Sequence, residues 1–217
     1  MSLMFYYAPG ACSLGVHIAL EEAGADYKAV PVSLADGEQL KPEYRAINPR
    51  GRVPALVVGS TVITECIGIH SYIAGAYPAA RLLPADPVKL GKALELLSFL
   101  ASTVHIHYAQ VFRGARFTDD QPAVEALRRD GPGRVRAALA DIESRFAHGG
   151  PWLLGDDYSA ADPYAYVFYR WTSRIGVDPT AYPAWTAQVE RLLQRPATLA
   201  ALRQEGLLET PPQRATA

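Results

Sequence analysis

Cysteine is scarce in this chain: only Cys12 and Cys66 occur among 217 residues. Two cysteines cannot form the disulfide framework of a small secreted scaffold, and free thiols point to a reducing cytoplasm. Charge of one sign is not in excess either. The 21 Lys and Arg face 22 Asp and Glu, for a formal net charge of −1, so no basic field exists to draw nucleic acid or an anionic membrane. No stretch approaches the roughly 20 apolar residues that span a bilayer. The apolar start, Met1 to Tyr7, is short, has no Lys or Arg ahead of it and is stopped by Pro9-Gly10, so it is not read as a secretory leader. Internal repeats and low-complexity tracts are also missing. What remains is 49% hydrophobic and 20% charged, an ordinary globular composition for one large or two small domains with a small-molecule partner.

The order of elements divides the chain. Residues 3–7 read as a buried strand, and Leu14, Ile18 and Leu20 follow helical spacing from Ser13 to a C-terminal cap at Gly24. Tyr27 to Leu34 is a second strand. Asn48-Pro49-Arg50-Gly51 marks a turn, Ala55–Val58 and Val62–Thr64 form a hairpin around Gly59-Ser60, and a helix runs from Cys66 to Tyr77. After the prolines at 78, 84 and 87 the pattern becomes helical. Leu90, Leu94, Leu97, Ala101, Val104, Tyr108 and Val111 form one stripe of a long helix. A helix from Pro122 to Ala147 should break or kink at Gly131-Pro132-Gly133. Tyr158–Arg174 and Ala181–Gln194 supply two more, and the tail from Glu209 is expected to be loose. The fold expected is thus a small α/β domain, residues 1–80, followed by an all-helical domain, residues 88–208.

Three places carry chemistry. Cys12 sits between the first strand and first helix, where unpaired backbone N–H groups and the helix dipole favour a thiolate; a small buried cysteine is the plain alternative. Residue 15 is Gly, so no Cys-x-x-Cys pair exists, and a mixed disulfide or a hydrogen bond to an external thiol is expected instead. Val53-Pro54 opens the third strand, and a cis-proline there would expose the backbone of Val53 to an extended ligand. At Glu65-Cys66 a strand turns into a helix. An N–H at that end suits an anion and Glu65 suits an ammonium, although Glu65 could equally be a capping acid and Cys66 simple packing.

Together these segments resemble the glutathione transferases over nearly the whole chain. Tyr6-Tyr7-Ala8-Pro9-Gly10-Ala11-Cys12-Ser13 is similar to the opening of the bacterial beta-class enzymes. Asn48-Pro49-Arg50-Gly51-Arg52-Val53-Pro54 resembles their second motif, Thr64-Glu65 their third, and Ser159-Ala160-Ala161-Asp162 the capping box of their helical domain. The resemblance implies a thioredoxin-like first domain and an enzyme that conjugates glutathione, its co-substrate, to hydrophobic electrophiles, with thiol transfer through Cys12 as a related activity. It implies a cytoplasmic homodimer. Cys12 and His105 would serve catalysis, while Arg52, Val53, Pro54, Glu65, Cys66 and Ser98 would hold glutathione. Tyr108, Phe112 and Tyr166, with Tyr169 and Trp171, would line the co-substrate pocket, though for each of them the core is the better reading. A non-catalytic ligand carrier and a glutathione-dependent isomerase or dehalogenase are the alternatives.

Two features depart from that family's pattern. Ser98 stands where an Asn is frequent, and a Lys usual after the second strand has no counterpart, leaving Lys41 or Arg50 to replace it. His105 and His107 lie about 200° apart on a helix, so they cannot form the i, i+4 pair of a helical zinc site, and no metal is expected. Ser98, Ser102 and His105 share one stripe, which selects His105 for the site and sends His107 to the surface or an interface. Tyr6, Tyr7 and Ser13 are weaker candidates for a donor to the thiolate, with Ser13 also a natural helix cap.

Overall fold

The computed structural model describes residues 3–208; the tail expected to be loose lies outside them. The first part runs β1 (Leu3–Tyr7), α1 (Ser13–Glu22), β2 (Tyr27–Pro31), α2 (Pro42–Arg45), β3 (Ala55–Val58), β4 (Thr61–Thr64) and α3 (Cys66–Ala76). Its sheet has the order β2-β1-β3-β4. β1 is parallel to β2 and antiparallel to β3, which pairs antiparallel with β4. A parallel pair needs a crossover, and α1 supplies it. This is the thioredoxin-like arrangement. β2 is shorter than its β-branched run suggests: Val32 N–H still donates to Tyr7 O at 2.7 Å, and then the chain leaves the sheet.

α1 is apolar on more than one face because it lies between two layers. Every residue from Ser13 to Leu20 is buried, with α3 on one side and α7 (Ala161–Trp171) and α9 (Pro196–Gln204) on the other. A helix buried all round needs no polar stripe.

The helical part begins with α4 (Pro87–Phe99), capped by Asp86, whose Oδ1 accepts from Val88 and Lys89 N–H at 3.0 and 2.9 Å. The long helix expected here is continuous in direction. It passes, however, through a π turn, Leu100–Val104, into α5 (His105–Phe112). α6 (Gln121–Gly149) then runs 29 residues straight through Pro132, so the expected break does not occur. Proline removes one donor there, but the neighbourhood is held from outside. Arg134 donates from Nη2 to Leu127 O at 3.2 Å and from Nε to Gln110 Oε1 at 3.1 Å, tying α6 to itself and to α5.

Gly131 has a different task. A Cβ added there would meet Val111 Cγ2 at 2.3 Å, because α5 and α6 approach each other across that glycine. Alanine in a helix interior ordinarily gains about 1 kcal/mol over glycine. Against a stiff β-branched neighbour the overpacking costs about 1–3 kcal/mol, so Gly131→Ala is expected to lower thermal stability. A higher melting midpoint in a thermal scan would disprove the close approach.

α7 starts with the expected capping box. Ala161 N–H donates to Ser159 Oγ at 3.3 Å, and Asp162 accepts from Ser159 N–H at 2.8 Å and Leu153 N–H at 2.9 Å. Burial pushes the Asp162 carboxyl up to about 7, while these hydrogen bonds pull it down. α8 (Pro183–Leu192) and α9 close the described chain. The 9-residue α9 was not expected from the sequence, being too short to show a convincing period.

Candidate active site

The turn between β1 and α1 is fastened from three directions. Ser13 Oγ accepts from Ala8 N–H at 3.1 Å and donates to Ala8 O at 3.2 Å. Its hydroxyl is therefore spent on the turn and is not a donor to the thiolate. Trp171 Nε1 donates to Gly10 O at 2.9 Å, and Gly10 N–H donates to Glu205 Oε2 at 2.8 Å. Glu205 Oε1 in turn lies 2.8 Å from His17 Nδ1, both side chains fully buried. The helical domain thus grips the peptide two residues before Cys12. Tyr6 and Tyr7 point elsewhere: Tyr7 reaches Gln204 O at 3.4 Å and Tyr6 stacks edgewise on Tyr44.

Cys12 occupies the N-cap position of α1 and is one wall of a cleft of about 530 Å³ between the two domains. Its Sγ lies 3.5 Å from Val53 O, on the next wall. The Val53–Pro54 bond is cis. Asn48 Nδ2 and Tyr44 Oη both donate to Arg52 O, at 2.6 and 2.7 Å, fixing the loop that carries Arg52 and Val53 into the cleft. Val53 N–H makes no hydrogen bond among the described residues.

Glu65 lies at the third wall in an unusual backbone conformation, φ 66° and ψ 136°. Non-glycine residues rarely hold such angles, and where they do the strain clusters at ligand sites. Its side chain makes no capping bond to α3, which rules out the plain reading as a capping acid. Glu65 lines the cleft instead.

Beside it, Cys66 meets Cys12. Cys66 Sγ is 3.7 Å from Cys12 O, which brings the two thiols together. The neighbouring Cys66 thiol, with the charge of Arg113, draws the Cys12 thiol below its ordinary value against the opposing effect of burial. The neighbouring Cys12 and burial push the Cys66 thiol up, while the Tyr164 hydroxyl pulls it down. Tyr164 can stand so close because residue 15 is glycine: a Cβ on Gly15 would lie 2.9 Å from Tyr164 Cα.

The helical wall holds His105, which packs edgewise on Trp171 with ring centroids 5.4 Å apart. Burial, then Arg113, Arg52 and Arg116, hold His105 down at about 4, so it is a neutral hydrogen-bonding group at neutral pH. Arg52, Arg113 and Arg116 line the cleft and form no salt bridge among the described residues. Burial, and then the neighbouring Arg113 and Arg52, lower the Arg116 guanidinium. With three arginines against the one carboxylate of Glu65, the lining of the cleft carries net positive charge.

Other expected residues lie outside the cleft. Ser98 is exposed on α4, and Ser102 Oγ donates to its carbonyl at 2.7 Å. The π turn is the reason: its wider turn rotates everything ahead of His105 off the stripe that a regular α-helix would give. Tyr108 is core, fully buried with its hydroxyl donating to Phe168 O at 2.9 Å. Phe112 carries the Arg174 guanidinium 4.8 Å over its ring. Tyr166 faces Arg170, two residues and about 200° from the cleft-facing Tyr164. Of the aromatics expected there, Trp171 lines the cleft, together with Tyr164 and Phe117. Lys41 belongs to a separate groove beside Tyr6, and Arg50 reaches Thr64 Oγ1 at 3.4 Å rather than the cleft. His107 turns toward α6, where burial and Arg134 lower it. Among the described residues, no cluster of His, Cys, Asp or Glu could hold a metal ion.

A sheet domain of thioredoxin type, a cysteine at its first helix and a helical domain closing the cleft define a two-domain thiol-handling protein. Residues 1–75 match the family described as Glutathione S-transferase, N-terminal domain, and residues 121–191 match Glutathione S-transferase, C-terminal domain. A glutathione S-transferase of Escherichia coli is 31% identical, covering 94% of this chain and all of its own length. A maleylacetoacetate isomerase of Pseudomonas aeruginosa is 32% identical, covering 94% of each chain. Among solved structures, a glutathione transferase homologue from Sulfitobacter with bound glutathione superposes with a TM-score of 0.90 at 38% identity, over 95% of this chain and 99% of that one. A bacterial beta-class enzyme from Sphingomonas chungbukensis gives 0.83 at 34%, over 94% of this chain and all of the other. The chain belongs to the glutathione S-transferase family.

Proposed function

We propose that the cleft binds glutathione and presents its thiol, ionised, to an electrophile. The observation that carries this reading is the convergence of three complementary groups: Cys12 at a helix start, the Val53 N–H, unpaired among the described residues, and Glu65 on its strained backbone. An extended peptide can pair with Val53 as an added strand, which sets its thiol against Cys12. Glu65 would accept from the γ-glutamyl ammonium, and Arg52 is the basic group available for a carboxylate. The positive charge of Arg113 and the helix end lower the thiol's pKa, His105 orients the sulfur as a neutral partner, and binding supplies proximity. The family resemblance carries with it a cytoplasmic location and pairing of two chains; a monomeric mass by light scattering would count against the pairing.

The electrophile's class follows from the arginines in the cleft lining. Arg113 and Arg116 favour a compound with an apolar body and an acidic group, and they also favour the second reading, glutathione-dependent isomerisation of an unsaturated acid. Calorimetric titration with reduced glutathione should show one saturable site per chain. Cys12→Ala is expected to keep that binding and to lose about 10–100-fold in conjugation rate, the worth of one charge-assisted hydrogen bond to the thiolate. Arg116→Ala should raise KM for an anionic electrophile and leave a neutral one unchanged. Undiminished conjugation by Cys12→Ala would remove Cys12 from the mechanism.

A further inference from the structure

Conjugation uses one protein sulfur, yet the cleft contains two. Cys12 and Cys66 are 54 positions apart, arrive on different helices, and meet with Cys66 Sγ 3.7 Å from Cys12 O. Both are free thiols on the cleft wall, and the chain has no third cysteine to compete. Tyr164 lines the same cleft wall as Cys66. We propose that Cys66 is the resolving thiol of a two-cysteine redox centre, through which the protein exchanges disulfides of glutathione by way of a Cys12–Cys66 bond. The glutathione part of this inference rests on the function proposed above.

The exchange balances in two steps. Cys12 thiolate attacks one sulfur of glutathione disulfide. The S–S bond breaks and the first glutathione leaves with the electron pair, protonated from water that has taken the Cys12 proton. Cys12 is now a mixed disulfide. Cys66, deprotonated to water, attacks the Cys12 sulfur; the bond to glutathione breaks, and the second glutathione leaves and is protonated in turn. Two electrons and two thiol protons have passed from the protein to glutathione disulfide, giving two glutathione thiols and one protein disulfide. Two reduced glutathiones reverse the sequence.

The order of attack follows from the surroundings. While Cys12 is a thiolate, its closeness and negative charge hold the Cys66 thiol above its ordinary value. Forming the mixed disulfide abolishes that charge. The Tyr164 hydroxyl, which favours the Cys66 thiolate, remains. Cys66 is thus held in reserve until Cys12 has reacted, as a resolving thiol must be.

Reduced protein is incubated with glutathione disulfide, quenched in acid, alkylated and weighed intact by mass spectrometry. Wild type should lose two hydrogens and two alkylation sites without accumulating a glutathione adduct. Cys66→Ser and Cys66→Ala should instead retain glutathione on Cys12 as a mass increment that added reduced glutathione removes. A parallel incubation with diamide needs no glutathione site. A disulfide with diamide but no reaction with glutathione disulfide supports the cysteine pair and rejects the glutathione reading. A Cys12–glutathione adduct that persists in wild type as in Cys66→Ser, or no disulfide with either oxidant, overturns the resolving role.

Discussion

Replacing Glu65 with glycine is expected to stabilise the protein and, in the same molecule, to weaken its hold on glutathione. The backbone at Glu65 has φ 66°, which costs a side chain about 1–3 kcal/mol and glycine almost nothing. Glycine also loses more freedom on folding, by about 0.5–1 kcal/mol, so a net gain of about 1 kcal/mol is expected. Removing the carboxylate deletes a charge-assisted hydrogen bond to the ligand ammonium, about 1.5–3 kcal/mol, or roughly 10- to 150-fold in Kd. Glu65→Ala should lose binding equally without the gain in stability, since alanine keeps the strain. Calorimetry and thermal unfolding on both variants separate the two effects. Wild-type affinity in Glu65→Gly would show that the strained residue serves only the turn.

Glu205→Ala should have the largest effect on stability. It removes the acceptor of the half-buried Gly10 N–H and the partner of the fully buried His17. Breaking a buried pair from one side costs about 3–5 kcal/mol, or a fall of roughly 10 °C in melting midpoint for a chain of this size. The effect reaches the site, because Gly10 would then be held on one side alone, by Trp171 at 2.9 Å. Alkylation of Cys12 in the native protein should therefore accelerate as the loop opens more often. A midpoint within about 2 °C of wild type, with Cys12 no more reactive, would show that the carboxylate is incidental.

Much of the site was readable because its signals are local. Cys12 follows a strand and precedes a helix within a few residues, and Asn48 to Pro54 is a single turn. The capping box at Ser159 and Asp162 spans only four positions. Errors arose where an element departed from its regular period. Ser98 aligns with His105 on an ideal helix, but the π turn at Leu100–Val104 shifts the register between them. Pro132 should interrupt α6, yet contacts outside that helix hold it together. Tyr108 was offered for the pocket because the stripe that carries it is apolar, and periodicity cannot distinguish a core from a cavity wall. The strain at Glu65 had no signal in the sequence, since a glutamate before a helix is ordinary.

The sequence by itself determined the α/β-then-helical organisation, the Cys12 position and the Val53-Pro54 edge, since hydrophobic period, turn chemistry and capping act between near neighbours. Only the tertiary structure decided that Cys66 lies beside Cys12, that Tyr164 packs across Gly15, and that Glu205 grips the turn from the far end of the chain. Three arginines share the cleft for the same reason. Such meetings depend on how α1, α3, α7 and α9 pack together, and packing joins residues whose separation along the chain carries no trace of their distance in space.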